Sequence, residues 1–308
     1  MEFPVLFLGA LPQNTPALYS LMNYADMSLG TWYPRGGMHK IIEAMVKVAK
    51  EQGVKFRTKA EVKGFKYSGN KIVGVLTKTG GFSADIVVAG ADYHHIDQEV
   101  SDEGRREYSK NYWDKRKMAP SSLLYYLGIK GEVPNVLHHN LFFDHELDQH
   151  ASELYTHPQW PTKPLFYASA PTKTDRSIAP EGCENMFLLM PTAPGLAGDS
   201  EEVREKYYNI MMDRLEQFTG SSIRDRVVVK RSFAYSDFKS EYNSFKGNAY
   251  GLANTLDQTA ILKPRLKSKK ISNLYFSGQL TTPGPGVPPT LISGEVVSKE
   301  IAKDFKLK

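Results

Sequence analysis

The sequence predicts an α/β fold interrupted by an α+β insertion, and three observations carry that reading. Early in the chain an amphipathic helix pattern is followed by short strand patterns and the uninterrupted apolar run Ile86-Val87-Val88-Ala89. Near the end a second such strand, Asn273 to Ser277, leads through a glycine-proline loop into a helix. Between them, from about residue 101 to 267, aromatics are dense and helices and strands lose strict alternation. Continuous apolar runs suit strands covered on both faces, and unalternating helices and strands mark an α+β arrangement.

The elements follow in chain order. Met38 to Gly53 carries Ile41, Ile42, Met45, Val46 and Val48 on one side and stops at a glycine, which predicts an amphipathic helix with a glycine cap. Strands are expected at Val54 to Arg57, Ala60 to Tyr67 and Lys71 to Lys78, the last two joined as a hairpin across Ser68-Gly69-Asn70. Ala84 to Ala89 reads as a strand buried on both faces. In the middle region Ser122 to Ile129, Leu165 to Ala170 and Met186 to Met190 read as strands and Glu201 to Thr219 as a helix. After Ser277 come Gly278, the loop Thr281 to Pro289, and a helix to about Asp304 with Leu291, Ile292, Val296, Val297 and Ile301 on its apolar side.

Composition narrows the function classes. A chain of 308 residues with 24% charged and 41% hydrophobic residues is ordinary globular protein, long enough for about two domains. The single cysteine, Cys183, excludes a disulfide framework and a multi-thiolate metal site within this chain. The net charge of +5 is mild, with lysines grouped at 263 to 270 and again at 299, 303, 306 and 308. That is a solvated basic face rather than a nucleic-acid footprint, and beside apolar stretches it suits an anionic membrane surface better. No run of about 18 apolar residues is present to span a bilayer. The opening segment lacks a basic start and a clean cleavage site and reads as the middle of a domain, while the single cysteine makes cytoplasmic chemistry, with peripheral membrane association, the expectation.

The segment richest in chemistry is the last one. Strand, glycine-proline loop and helix place a helix N-terminus at the carboxyl end of a buried strand, where ligands bind in open α/β sheets. Pro288 and Pro289 suit a first helical turn, and Gly284 and Gly286 let backbone approach a flat or charged group. Free N–H groups there favour an anion; a rigid connector would show the same spacing. His138, His139, His145, His150 and His157 cluster with Asp144, Glu146 and Asp148. Their spacing fits no metal motif, so they read as solvated or hydrogen-bonded side chains, with no metal expected.

Asn273-Leu274-Tyr275-Phe276-Ser277-Gly278, then Pro283-Gly284-Pro285-Gly286-Val287-Pro288 and a small-residue helix, resemble the C-terminal FAD signature of the phytoene desaturase (carotenoid desaturase) family. Thr31 to Gly37 with its helix, Ala84 to Asp92, and Gly247 to Leu252 resemble further blocks of that family in the right order. The resemblance implies a partial FAD-binding domain, Rossmann-like and three-layered, interrupted by a mixed-sheet substrate-binding domain with helices. It places 1–27 in the substrate region, 28–100 and 268–308 in the FAD-binding domain, and 101–267 in the substrate-binding domain. By the same resemblance Val62 meets the adenine through its backbone. Gly278 and Gln279 form the turn beside the pyrophosphate and ribityl chain, and Gly286, Val287, Pro288, Pro289 and Thr290 lie against the flavin ring. Asp92 stands in the turn after a strand, where a carboxylate equally serves as a helix cap.

The family's opening G-x-G-x-x-G unit is absent from these 308 residues. The chain therefore resembles the C-terminal part of a desaturase, with the N-terminal FAD-binding segment as a missing partner. Alone it is expected to hold FAD weakly or not at all and to be inactive. The implied function is FAD-dependent desaturation of a lipid-soluble carotenoid at a peripheral membrane surface. A carotenoid isomerase or retinol saturase, or a non-catalytic substrate-binding or interaction fragment, are the alternatives. Phe142, Phe143, Trp160, Phe166, Tyr167, Phe233, Tyr235, Tyr242, Phe245 and Tyr250 are candidate walls for an apolar substrate, or simple core. No catalytic base is legible.

Overall fold

The computed structural model describes residues 8–307. They divide into two compact units, one of residues 18–56 and 121–236, the other of residues 8–17, 57–120 and 237–307. The strands are β1 (Val62–Ser68), β2 (Lys71–Thr77), β3 (Gly80–Ser83), β4 (Val87–Ala89), β5 (Ser121–Lys130), β6 (His139–Phe142), β7 (Phe166–Ser169), β8 (Cys183–Thr192), β9 (Val227–Phe233) and β10 (Leu274–Phe276). The helices used below are α1 (His39–Glu51), α2 (Lys110–Asp114), α3 (Leu147–Tyr155), α4 (Glu201–Thr219), α5 (Tyr235–Tyr242) and α6 (Val287–Asp304).

In the unit built from 57–120 and 237–307, β1, β2 and β3 form an antiparallel meander whose first turn matches the expected hairpin. Phe65 and Ile72 turn inward and join Tyr93, Ile96, Trp113, Leu274 and Phe276 in one core. Tyr93 stacks on Phe276 with ring centroids 3.7 Å apart. The Trp113 indole N–H donates to buried Asp97 at 3.0 Å, so the largest core side chain has its polar atom paired. The two strands with uninterrupted apolar runs, β4 and β10, lie side by side and parallel, Val87 opposite Leu274 and Ala89 opposite Phe276. Asn273 ties them to the meander: its amide accepts from Ile72 N and donates to Ile72 O and Asp85 O, at 2.7 to 2.9 Å.

The other unit is organised on the five-stranded order β6-β7-β8-β5-β9. Helix α4 starts at the Ser200 cap, ends at left-handed Gly220, and buries Tyr207, Tyr208, Met211, Met212 and Leu215. These meet Leu123, Tyr125, Leu127 and Ile129 of β5 and Met186, Leu188 and Met190 of β8. Helix α1 forms over the expected residues but buries none of them.

Three expectations are corrected. Residues 54–57 form no strand; Val54 and Phe56 are half exposed, and an extended segment without a partner gains no ladder. β4 is covered on one face only, since Val88 is 47% exposed. Every pairing in the five-stranded sheet is antiparallel, where a mixed sheet was expected. Its strand β7 returns into β8 through residues 170–182, which hold two 3-10 turns and no crossover helix, so the chain reverses direction between them.

Candidate functional site

Parallel strands end their ladders at the same side, and the turns that follow open a crevice there. After β4 the chain runs Gly90-Ala91-Asp92-Tyr93; after β10 it runs Ser277-Gly278-Gln279-Leu280. These two turns, with Glu241 to Ser244, Asn248 and Thr290, line a cleft of about 530 Å³. Its floor is open because two glycines face it. A Cβ on Gly278 would meet nothing closer than the Gly90 carbonyl at 3.9 Å, and Gly278 holds φ +112°, a conformation that favours glycine. A second cleft of about 380 Å³ shares Gly90, Ala91 and Asn243 with the first and is lined by Val62, Phe65, Val75, Val87, Val88 and His95 among others.

The structure therefore brings Gly278, Gln279 and Thr290 to one cleft and Val62 to its neighbour, the two meeting at Gly90, Ala91 and Asn243. Gly286, Val287, Pro288 and Pro289 form the start of α6 and line neither cleft; Val287 is half exposed. Gln279 is oriented by Asn248, whose Oδ1 accepts from the Gln279 side-chain amide at 3.2 Å and from Gly251 N at 2.6 Å. Asn248 is buried by its own turn, donating to Phe245 O at 2.6 Å. The block Gly247 to Leu252 contains it but assigned it no role, since that role comes from its contact with Gln279, farther along the chain.

Asp92 does cap the next segment: Oδ1 accepts from His95 N at 3.1 Å and Oδ2 from Phe245 N at 3.2 Å. Burial nevertheless pushes its carboxyl up to about 6, against the pull of those two N–H groups. Its neighbour His94 stacks on Phe245 at 3.9 Å, and burial pushes that imidazole down to about 4.

Of the clustered histidines, His138, His139 and His150 make contacts within the fold, and His145 and His157 are exposed. His150 is fully buried, with Nε2 on the Pro191 carbonyl and Nδ1 accepting from Leu165 N, both at 3.0 Å. His138 and His139 stack at 4.2 Å and bond to Thr174 and Tyr167. Among the described residues no three His, Cys, Asp or Glu side chains gather as a metal site. Of the candidate substrate walls, Phe142 and Phe166 stack in the core at 4.3 Å, whereas Tyr242 lines the larger cleft. Lys263, grouped in sequence with surface lysines, is 4% exposed.

Comparison with known proteins agrees with the resemblance. The carotenoid 3,4-desaturase of Haloarcula japonica is 40% identical over 99% of the chain, and the zeta-carotene-forming phytoene desaturase of Myxococcus xanthus is 30% identical over 98%. The chain spans 61% and 58% of those relatives' lengths. In fold it is similar to the crystal structure of an oxidoreductase from Methanosarcina mazei, with a TM-score of 0.64 at 16% identity, covering 97% of this chain and 65% of that one. The sequence model of the flavin containing amine oxidoreductases matches residues 1–302, and the chain belongs to that family.

Proposed function

We propose that this chain forms the C-terminal part of an FAD-dependent carotenoid desaturase, completed by a dinucleotide-binding segment outside these residues. One observation carries the reading. The clefts holding Val62 and holding Gly278, Gln279 and Thr290 meet at the carboxyl ends of two parallel strands, so one elongated ligand can lie along both. The glycine floor at Gly90 and Gly278 fits a flat or extended group, because the space over both is open, a Cβ at either meeting no atom closer than 3.9 Å. In this reading Val62 faces the adenine, Gly278 and Gln279 the pyrophosphate and ribityl chain, and Gly286 to Thr290 the flavin ring. Residues 28–100 and 268–308 serve the cofactor, in a Rossmann-like arrangement, and 101–267 serve the substrate except where Glu241 to Ser244 and Asn248 line the cofactor cleft.

When bound, the flavin supplies a hydride acceptor. Desaturation breaks two C–H bonds on adjacent carbons: one leaves as a hydride with its electron pair, the other as a proton, and the double bond forms between them. The residues here orient rather than react. Gln279, fixed by Asn248, presents a polar edge to the cleft, and the Val287 N–H with the helix dipole at the start of α6 favours negative charge, Pro288 and Pro289 having no N–H. The substrate is a lipid-soluble carotenoid, drawn from a membrane surface. Exposed Leu18, Leu21, Met27, Leu29 and Trp32, with Lys40, Lys47 and Lys50 on α1, support peripheral association with anionic lipid. Among the described residues no helix is long and apolar enough to cross a membrane.

Equilibrium dialysis of the chain against FAD tests the cofactor reading. Weak binding that is lost in both Val62→Asp and Gly278→Leu is the expected result; binding untouched by both would refute it. Joining a G-x-G-x-x-G unit at the N-terminus is expected to tighten binding and permit desaturation of a carotenoid carried in vesicles.

A further inference from the structure

Two buried polar atoms lie beneath one turn of chain without a hydrogen-bonding partner, Lys263 Nζ and Asn254 Oδ1. Their residues are only 4% and 2% exposed. Both stand against Gly284, where a Cβ would lie 3.6 Å from the ammonium nitrogen and 3.7 Å from the amide oxygen. Gly284 belongs to the turn that leads directly into Gly286 and α6. Nearly all buried polar atoms in folded proteins are paired, so an orphaned ammonium beside an orphaned carbonyl oxygen requires a reason. Packing does not provide one, since a methionine would fill similar space without burying a charge. Burial alone pulls Lys263 down to about 8, with no carboxylate offsetting it, and the group still carries its proton at neutral pH.

A fixed cation in a low-dielectric setting acts on charge that develops nearby without touching it. We propose that Lys263 is a positioning residue whose buried charge, beneath the loop entering α6, stabilises the negative charge of the reduced flavin relative to the oxidised form. This rests on the flavin reading of the same loop. The dipole of α6 acts in the same direction through the Val287 N–H, Pro288 and Pro289 having none, and Lys263 adds a full charge to that partial one. Asn254, as the amide neighbour, leaves that charge uncancelled where a carboxylate would neutralise it.

The test compares binding of oxidised FAD and of dithionite-reduced FAD by anaerobic equilibrium dialysis, for the chain, Lys263→Met and Asn254→Asp. The chain is expected to favour reduced FAD by about tenfold, equivalent to about 30 mV for a two-electron couple. Lys263→Met removes the charge and Asn254→Asp cancels it in place, so both should bring the ratio close to one while oxidised FAD binds within about threefold of the parent. An unchanged ratio in both variants overturns the role of Lys263 and leaves the flavin reading standing. Should Lys263→Met not fold, Asn254→Asp decides alone. Where the chain alone binds neither form, the same comparison is made on the chain joined to a G-x-G-x-x-G unit, and failure of that joined protein to bind FAD overturns the flavin reading, and the proposal with it.

Discussion

The backbone N–H of Gly278 donates to the Ser293 hydroxyl at 2.9 Å, and that hydroxyl donates on to the Thr290 carbonyl at 2.7 Å. One fully buried serine thereby fastens the turn after β10 to the first turns of α6, and sets where the glycine floor of the cleft lies. Ser293→Ala leaves the Gly278 N–H without its partner. The variant should lose about 1–3 kcal/mol of stability in urea unfolding, and FAD affinity should fall with it. Parent-like values for both would show that the tie does not set the turn.

Gly286 caps α6 at φ +113°, and a Cβ there would stand 3.3 Å from Pro289 Cδ. Gly286→Val should cost about 1–3 kcal/mol through backbone strain and move the loop, lowering flavin binding while circular dichroism stays near native. Gly69, at φ +60° in the hairpin turn, has nothing within 4 Å of its Cβ position. Gly69→Ala should cost about 1 kcal/mol and leave flavin binding intact. Equal flavin binding in both variants would reduce the α6 loop to a connector.

Lys263 has a direct consequence for stability. Its amine is held at about 8 when folded against an ordinary 10.5, so the unfolded chain binds more protons between those values and this group's contribution to stability rises with pH. The full penalty applies below about pH 8. At pH 7 Lys263→Met should therefore be the more stable protein by about 1–3 kcal/mol, with the difference shrinking as pH is raised toward 10.5. Urea midpoints measured at pH 7 and pH 10 check this; a variant less stable at pH 7 would contradict it.

His150 makes the protein acid-sensitive. Its Nδ1 accepts from Leu165 N, so protonation there would set two N–H groups against each other. Burial holds the folded imidazole at about 4 against 6.5, and the unfolded chain binds more protons across that window. Stability is therefore lost as pH falls through it. His94 acts in the same sense, at about 4, whereas Asp92, raised to about 6 from 3.8, gives stability back on acidification. Two groups oppose one, so the urea midpoint should fall from pH 6.5 to pH 4. His150→Asn should be less stable at neutral pH and show a flatter profile; a parent midpoint that rises on acidification would contradict the assignment.

Local pattern in the sequence determined the helix Glu201–Thr219, the hairpin around Gly69 and the succession of β10, loop and α6, and ordered blocks determined the family. Each depends on dihedral preference and periodicity within a short stretch, or on motifs readable one after another. Tertiary structure alone decided that residues 54–57 find no strand partner, that Val88 faces outward, and that Val62 shares a pair of joined clefts with Gly278. It also decided that Lys263, in a run of lysines that reads as solvated surface, is buried beside Asn254 beneath Gly284. Strand pairing and burial are set by which distant segments pack together, and the energy of a buried charge depends on neighbours that no local window contains.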